Sequence, residues 1–83
     1  MNDEIRKILA QVGDLDVPVA SLADDDDLYA AGLSSMSTVQ VMVEIERHFR
    51  IELPDELITR DLFSSIAALA RAVRTVQRDT EEA

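Results

Sequence analysis

The amino-acid sequence predicts an all-α fold: a four-helix bundle of three main helices, one short helix and a long first loop. Three observations predict it. Apolar residues recur at helical spacing in three separate segments. No segment alternates apolar and polar residues between hairpin signals. The chain has 83 residues, 47% hydrophobic and 30% charged, a balance that suits one small globular domain. The domain is expected over residues 1–78, with 79–83 a frayed tail.

The first helix is expected over residues 3–12. Ile5, Ile8, Leu9 and Val12 fall on one face, and Asp3 and Glu4 sit at the positive end of the helix dipole. Gly13 is the natural stop. Residues 14–34 contain Pro18, the run Asp24–Asp27 and Gly32, with no sustained period, and read as a long loop. Val17, Val19, Leu22, Leu28, Tyr29 and Leu33 recur along it, so the loop is expected to be pinned to a core. The four Asp lack the spaced ligands and terminal Glu of a calcium loop and read as a solvated charge run.

The second helix is expected over 35–50, with Val41, Ile45 and Phe49 facing the core. Met36, Val39 and Val43 form a second apolar stripe. Either the bundle buries this helix deeply or part of the stripe is exposed for a partner. Ile51-Glu52-Leu53 is an extended link ended by Pro54. A short helix is expected over 55–60, capped by Asp55, with Leu57 and Ile58 turned inward. A last helix across 65–78 starts from a Ser64 or Ser65 cap and buries Ile66, Leu69, Ala70 and Val73.

Charge and composition exclude several functions. The chain carries 17 acids against 8 bases, net −9, which repels a phosphate backbone and argues against nucleic-acid binding. Residues 14–61 hold twelve acids and three bases, and so own the whole imbalance. With no Cys there is no disulfide, thiolate metal site or cysteine nucleophile. A single His, His48, leaves no histidine pair for a metal and reads as a half-exposed helix residue. No catalytic constellation and no glycine-rich phosphate loop is present, so the chain reads as a non-enzyme. No apolar run approaches the roughly 20 residues that cross a bilayer, and the N-terminus lacks signal-peptide character. A cytoplasmic monomer that avoids membranes is expected.

One segment stands apart: Asp27-Leu28-Tyr29-Ala30-Ala31-Gly32-Leu33-Ser34-Ser35-Met36. Two serines follow a Gly at a loop-to-helix junction. An ordinary N-cap explains them, because Ser satisfies the orphan amides of a helix start. The same geometry holds a hydroxyl on a rigid element, where a helix N-terminus favours an attached phosphate.

The segment resembles the phosphopantetheine attachment site of acyl and peptidyl carrier proteins, whose loop ends in Gly-hydrophobic-Asp-Ser-hydrophobic. Gly32-Leu33-Ser34-Ser35-Met36 follows that pattern except at Ser34, where the family usually has Asp. The likeness continues through Val41–Phe49 and Ile51-Glu52-Leu53-Pro54-Asp55-Glu56, and lengths match over nearly all of residues 3–76. The resemblance implies that a phosphopantetheinyl transferase moves 4'-phosphopantetheine from coenzyme A to Ser35. Met36 follows Ser35 as the pattern requires, which favours it over Ser34. The arm's thiol would hold an acyl or aminoacyl group as a thioester, so the working thiol is supplied by the prosthetic group.

Gln40 and Arg47 stand where fatty-acid carriers usually have Glu, while Glu44 and Glu46 remain. The Ala-Ala-Gly-Leu-Ser-Ser form resembles small stand-alone aminoacyl carriers. These are loaded by amino acid:carrier protein ligases that look like truncated seryl-tRNA synthetases. Ser34, Met36, Val39, Gln40, Val43 and Arg47 are the expected partner contacts. A carrier for a polyketide, fatty-acid or peptide pathway is the alternative within the family. An acidic interaction module without a prosthetic group is the alternative outside it.

Overall fold

The computed structural model describes the backbone of residues 1–82 and the side chains of residues 1–79. Three α-helices carry the fold: α1 (Asn2–Val12), α2 (Ser35–Phe49) and α3 (Ile66–Glu82). Short 3-10 turns at Val19–Ser21, Asp55–Leu57 and Arg60–Phe63 punctuate the connections. No strand occurs among the described residues, so the all-α expectation holds. The expected tail is only partly covered. The backbone continues α3 through Glu82, past the predicted end at 78, and Ala83 lies outside the described residues.

α1 packs against both other helices. It contributes Ile5, Ile8 and Leu9 to one core cluster, with Val41 and Ile45 from α2 and Ile66, Leu69, Ala70, Val73 and Val76 from α3. These are the faces that the helical periodicity predicts, with Val76 added. Val12 and Phe49 are only partly buried at the edge of the cluster.

The first loop is a wall of this core. Leu28 is 0% exposed, and Leu33 and Ala31 are buried with it. Val17 departs from the expectation and is 39% exposed. The loop is also stitched by polar contacts. Arg6 donates to the Val19 carbonyl at 3.0 Å and to Asp24 Oδ1 at 2.7 Å, and Asn2 donates to Asp24 Oδ2 at 3.1 Å. The backbone carbonyl of Asp24 accepts from Ala67 N at 3.0 Å, and that of Ser64 accepts from Leu28 N at 2.9 Å. Loop and α3 thus close each other's open backbone groups. Ser65 caps α3 by accepting from Ala68 N at 3.0 Å.

The acidic run therefore needs correcting. It is exposed, yet three of its four carboxylates have structural partners. Besides Asp24, Asp26 accepts from Ala23 N at 2.8 Å and Asp27 from Tyr29 N at 2.9 Å. These are local turn-closing bonds of the kind Asp makes readily.

α1 ends at Val12 with Gly13 as its C-cap, as expected, but Gly13 stays in the right-handed helical region, and the left-handed residue is Asp14 with φ 52°. Asp is among the few non-glycine residues that visit this region. α2 ends likewise at Arg50, φ 56°, whose N–H donates to the Glu46 carbonyl.

The fourth helix is not an α-helix. Residues 55–60 and beyond form two 3-10 turns, with Pro54 rather than Asp55 at the cap position of the first. Leu57 reaches the core edge, but Ile58 is exposed. Leu62 and Phe63, in the second turn, supply the buried side chains instead.

The Arg6 pair has a pH consequence. Hydrogen bonding from Arg6 holds the Asp24 carboxyl below its ordinary value of 3.8. A carboxylate depressed on folding stabilises the fold above its unfolded pKa and loses that contribution as pH falls through the folded pKa. Asp24→Asn is therefore expected to lower the melting temperature slightly at neutral pH. The two melting curves should converge as the pH is taken below about 3.8. A difference that persists unchanged at low pH would count against the pairing.

Candidate functional site

Ser34 and Ser35 take different places at the start of α2. Ser34 is the N-cap of α2, in extended backbone, and its Oγ accepts from Ser37 N at 3.1 Å. Its hydroxyl also donates to Ser37 Oγ at 3.0 Å, and Ser37 is itself buried. Such a cap stabilises a helix by about 1 kcal/mol relative to Ala. The Asp expected from the resemblance would do the same work with a charge. Ser34 does it neutrally.

Ser35 is the first residue of α2 and is exposed. Its hydroxyl has no hydrogen-bond partner among the described residues, while its carbonyl accepts from Thr38 Oγ1 at 2.6 Å. The local backbone is thus fixed while the side chain is left free. No acidic residue stands in the first turn of α2. The positive end of the helix dipole is left uncompensated by α2's own side chains. An exposed hydroxyl beside open amides and a positive dipole suits attachment of a phosphodiester, so the residues present fit a phosphopantetheine group.

Gly32 sets the approach to this helix. Its φ is +110°, a value that L side chains rarely adopt. A Cβ there would lie 2.7 Å from the Asp16 side chain and 2.9 Å from Asp16 N. That nitrogen donates to the Ala31 carbonyl at 2.8 Å, holding the start of the loop against its end. Around the glycine, Ala31 N donates to the Asp27 and Leu28 carbonyls, Gly32 N to the Tyr29 carbonyl and Leu33 N to the Leu28 carbonyl, in a tight turn. Tyr29 ties this turn to the Arg60–Phe63 segment. Its hydroxyl donates to the Arg60 carbonyl at 2.9 Å, and the Arg60 guanidinium lies 4.2 Å from its ring centroid.

The second apolar stripe of α2 is exposed: Met36 is 80% accessible, Val39 56% and Val43 42%. The reading in which part of this stripe stays exposed holds, and burial in the bundle does not explain these three residues. Gln40 is also exposed on α2, and Arg47 is paired with Glu44 at 3.3 Å. Glu46 is committed elsewhere, because its Oε2 accepts from Leu53 N at 2.9 Å and so closes the link after α2. Of the two α2 acids, only Glu44 faces outward with a charged neighbour. His48 lies 3.6 Å from Glu4 and edge-on to Phe49, away from Ser35 in the chain.

Sequence reasoning missed one feature near the helix start. A crevice of about 450 Å³ opens between the end of α1 and the start of α2, with Ser34 and Met36 but not Ser35 in its lining. Gln11 and Asp14 line one side, and Ser34, Met36 and Gln40 the other. No local signal marks Gln11 or Asp14, because only the packing of α1 on α2 brings them to the same crevice as Ser34 and Met36. Among the described residues, no group of His, Cys, Asp or Glu could hold a metal ion. No helix among them is long and apolar enough to cross a membrane.

Gly32→Ala is expected to lower stability by about 1–3 kcal/mol, from the backbone conformation and the close approach of Asp16 together. Denaturant unfolding measures it. An unchanged midpoint would show that the turn tolerates a side chain.

Comparison with known proteins converges on one group. The family profile described as "Phosphopantetheine attachment site" matches residues 3–73. An aminoacyl carrier protein of Agrobacterium fabrum (strain C58 / ATCC 33970) is 49% identical over 83 residues, covering 100% of both chains. A solved complex pairs an engineered Bradyrhizobium japonicum glycine:[carrier protein] ligase with a carrier protein from Agrobacterium tumefaciens and AMP. It contains a chain that superposes with TM-score 0.87 at 53% identity, over 89% of this chain and 99% of that one. The solution structure of a holo acyl carrier protein from Nitrosomonas europaea superposes with TM-score 0.82 at 25% identity, over 93% of this chain and 95% of that one.

Proposed function

The chain belongs to the phosphopantetheine attachment site family of carrier proteins, and from that premise we propose that it carries an aminoacyl group on an arm attached to Ser35. The observation that carries this reading is the exposed, unpartnered hydroxyl of Ser35 at the first position of a helix already capped by Ser34. The group's terminal thiol, once attached, supplies the nucleophile that holds the cargo as a thioester.

In the attachment step Ser35 Oγ bonds to the phosphorus on the pantetheine side of coenzyme A. The pyrophosphate bond breaks, adenosine 3′,5′-bisphosphate leaves, and the hydroxyl proton passes to a base on the transferase. This chain's task is to present the oxygen. The Gly32 turn sets the angle of approach, Ser34 fixes the helix start, and the first-turn amides stabilise the phosphodiester charge.

Loading by an amino acid:carrier protein ligase is part of the same proposal. The full-length likeness to an aminoacyl carrier protein and the likeness to a chain bound by a glycine ligase support it. The docking face would be the exposed apolar stripe of α2, Met36, Val39 and Val43, flanked by Ser34, Gln40 and Arg47. An exposed apolar strip edged by polar groups is what a transient partner buries. We place the protein in the cytoplasm as a monomer that meets transferase and ligase in turn, with no catalytic residue of its own.

Incubation with coenzyme A and a broad-specificity transferase should add the mass of one phosphopantetheine. Ser34→Ala should still gain it, and Ser35→Ala should not. Addition surviving Ser35→Ala would overturn the assignment. Within the modified protein, Val39→Asp and Val43→Asp should each slow ligase-catalysed glycine loading by roughly tenfold, as loss of a central interface contact does. Their melting temperatures should stay near that of the parent. Loading at the parental rate would remove the stripe from the interface.

A further inference from the structure

The outer face of α3 runs against the charge of the whole chain. With 17 acids and 8 bases overall, an exposed helix face is expected to carry mostly carboxylates. Yet residues 66–78 contain no Asp or Glu, and their exposed positions are Arg71, Arg74, Thr75 and Arg78. Spacings of three and four place these on one face. Other bases are engaged: Arg6 with Asp24, Arg47 with Glu44, and Arg60 on the Tyr29 ring. Among the described residues, Arg71, Arg74 and Arg78 have no acidic partner. Arg74 Nε only donates back to the Ala70 carbonyl at 3.4 Å, and Asp3 shares a crevice with Arg74 without forming an ion pair. Solubility does not call for these cations, because each one reduces a net charge that already keeps the chain dispersed.

An apolar crevice adjoins them. It has a volume of about 400 Å³ and is lined by Leu57, Leu62, Ala68 and Ala72. Arg71 and Thr75 line it from α3, and Glu56 and Asp61 from the turns that face α3. This surface lies away from the serine. Ser34 and Met36 share their crevice with the end of α1, whereas Arg74 shares one with Met1, Asn2 and Asp3 at its start. An α1 of 11 residues is about 16 Å long.

We propose that the outer face of α3 docks an acidic segment of a partner protein, with one aliphatic side chain of that segment in the crevice and its carboxylates on Arg71, Arg74 and Arg78. Guanidinium forks pair with carboxylates in a fixed geometry, which suits arginine to interfaces. A net charge of −9 repels an extended phosphate surface, but a short acidic segment meets the three arginines within a screening length. Glu56 and Asp61 repel carboxylates from the other side of the crevice. The acids of the segment therefore follow its aliphatic residue along α3 toward Arg78. Held in this way, the carrier keeps Ser35 and the apolar stripe of α2 open to a second protein. Attachment at Ser35 plays no part in the contact, so the two readings stand or fall separately.

The test titrates the isotope-labelled full chain with a blocked helical peptide. The peptide bears one Leu followed by Glu at the spacings of the arginines. Saturable shifts are expected at the Ala68 and Ala72 amides and at the Nε–H groups of Arg71, Arg74 and Arg78, with Ser35, Val39 and Val43 unmoved. Replacing the peptide's Glu by Gln should lower affinity by roughly tenfold, the combined effect of about three exposed ion pairs. Raising the salt should act in the same direction. Arg71→Gln, Arg74→Gln and Arg78→Gln combined should lower affinity as much. Gln is a good helix former, so the melting curve of this variant should stay near the parent's. Thr75→Glu, which sets a carboxylate among the arginines at an exposed position, is the second variant and should also weaken binding. Phosphatidylglycerol vesicles serve as the competing polyanion and should not sediment the chain. Absence of saturable shifts, equal affinity for the Glu and Gln peptides, shifts confined to α2, or sedimentation with vesicles that depends on the three arginines would overturn the proposal.

Discussion

The burial of Leu28 and Leu33 is the constraint on which the rest of the structure depends. Three helices on a chain of 83 residues leave one side of a core uncovered, and the first loop has to cover it. Leu28 is fully buried and Leu33 nearly so. Between them the chain must turn tightly and emerge at the start of α2. Gly32, at φ +110° and hard against Asp16, makes that turn. The serine that opens α2 is consequently held by the core itself. A loop that served only as a linker would leave Ser35 wandering, and a partner would have to order it at an entropic cost on each encounter.

The polar stitching follows from the same constraint. A loop lying over a core brings backbone donors and acceptors out of water, and they need partners. The Arg6 guanidinium, the Ser64 carbonyl and the Ala67 N–H supply them, meeting the Val19 carbonyl, Leu28 N–H and Asp24 carbonyl of the loop. This is why part of the acidity is structural. Asp24, Asp26, Asp27 and Glu46 all accept hydrogen bonds that shape loops. The remaining acids still give the middle of the chain its charge. The outward surface near Ser35 is set more by Met36, Val39 and Val43 than by carboxylates.

What the sequence made legible was what depends on local periodicity. The apolar faces of α1, α2 and α3 could be read because 3.6-residue spacing needs no knowledge of partners. Ser35 could be singled out because a five-residue pattern carries its own geometry. The rest depended on contacts between distant residues. Asp24 read as solvated because Arg6, its partner, lies 18 residues away. Gly13 does stop α1, but the left-handed conformation falls on Asp14, the next residue, which glycine content alone does not indicate. The segment after Pro54 was read as one helix, but its turns are set by what Leu57, Leu62 and Phe63 reach in the core. The crevice was invisible because Gln11 and Asp14 carry no motif.

The exposed stripe on α2 bears on how the protein behaves in a crowded solution. Bare valines and a methionine on an accessible helix face invite contact with any apolar surface, including that of another copy. A net charge of −9 opposes that encounter, since two copies approaching each other meet mutual repulsion well before their stripes touch. The same charge favours approach by positively charged surfaces. Charge acts here as a colloidal guard on stickiness, which allows a small protein to keep a hydrophobic face uncovered.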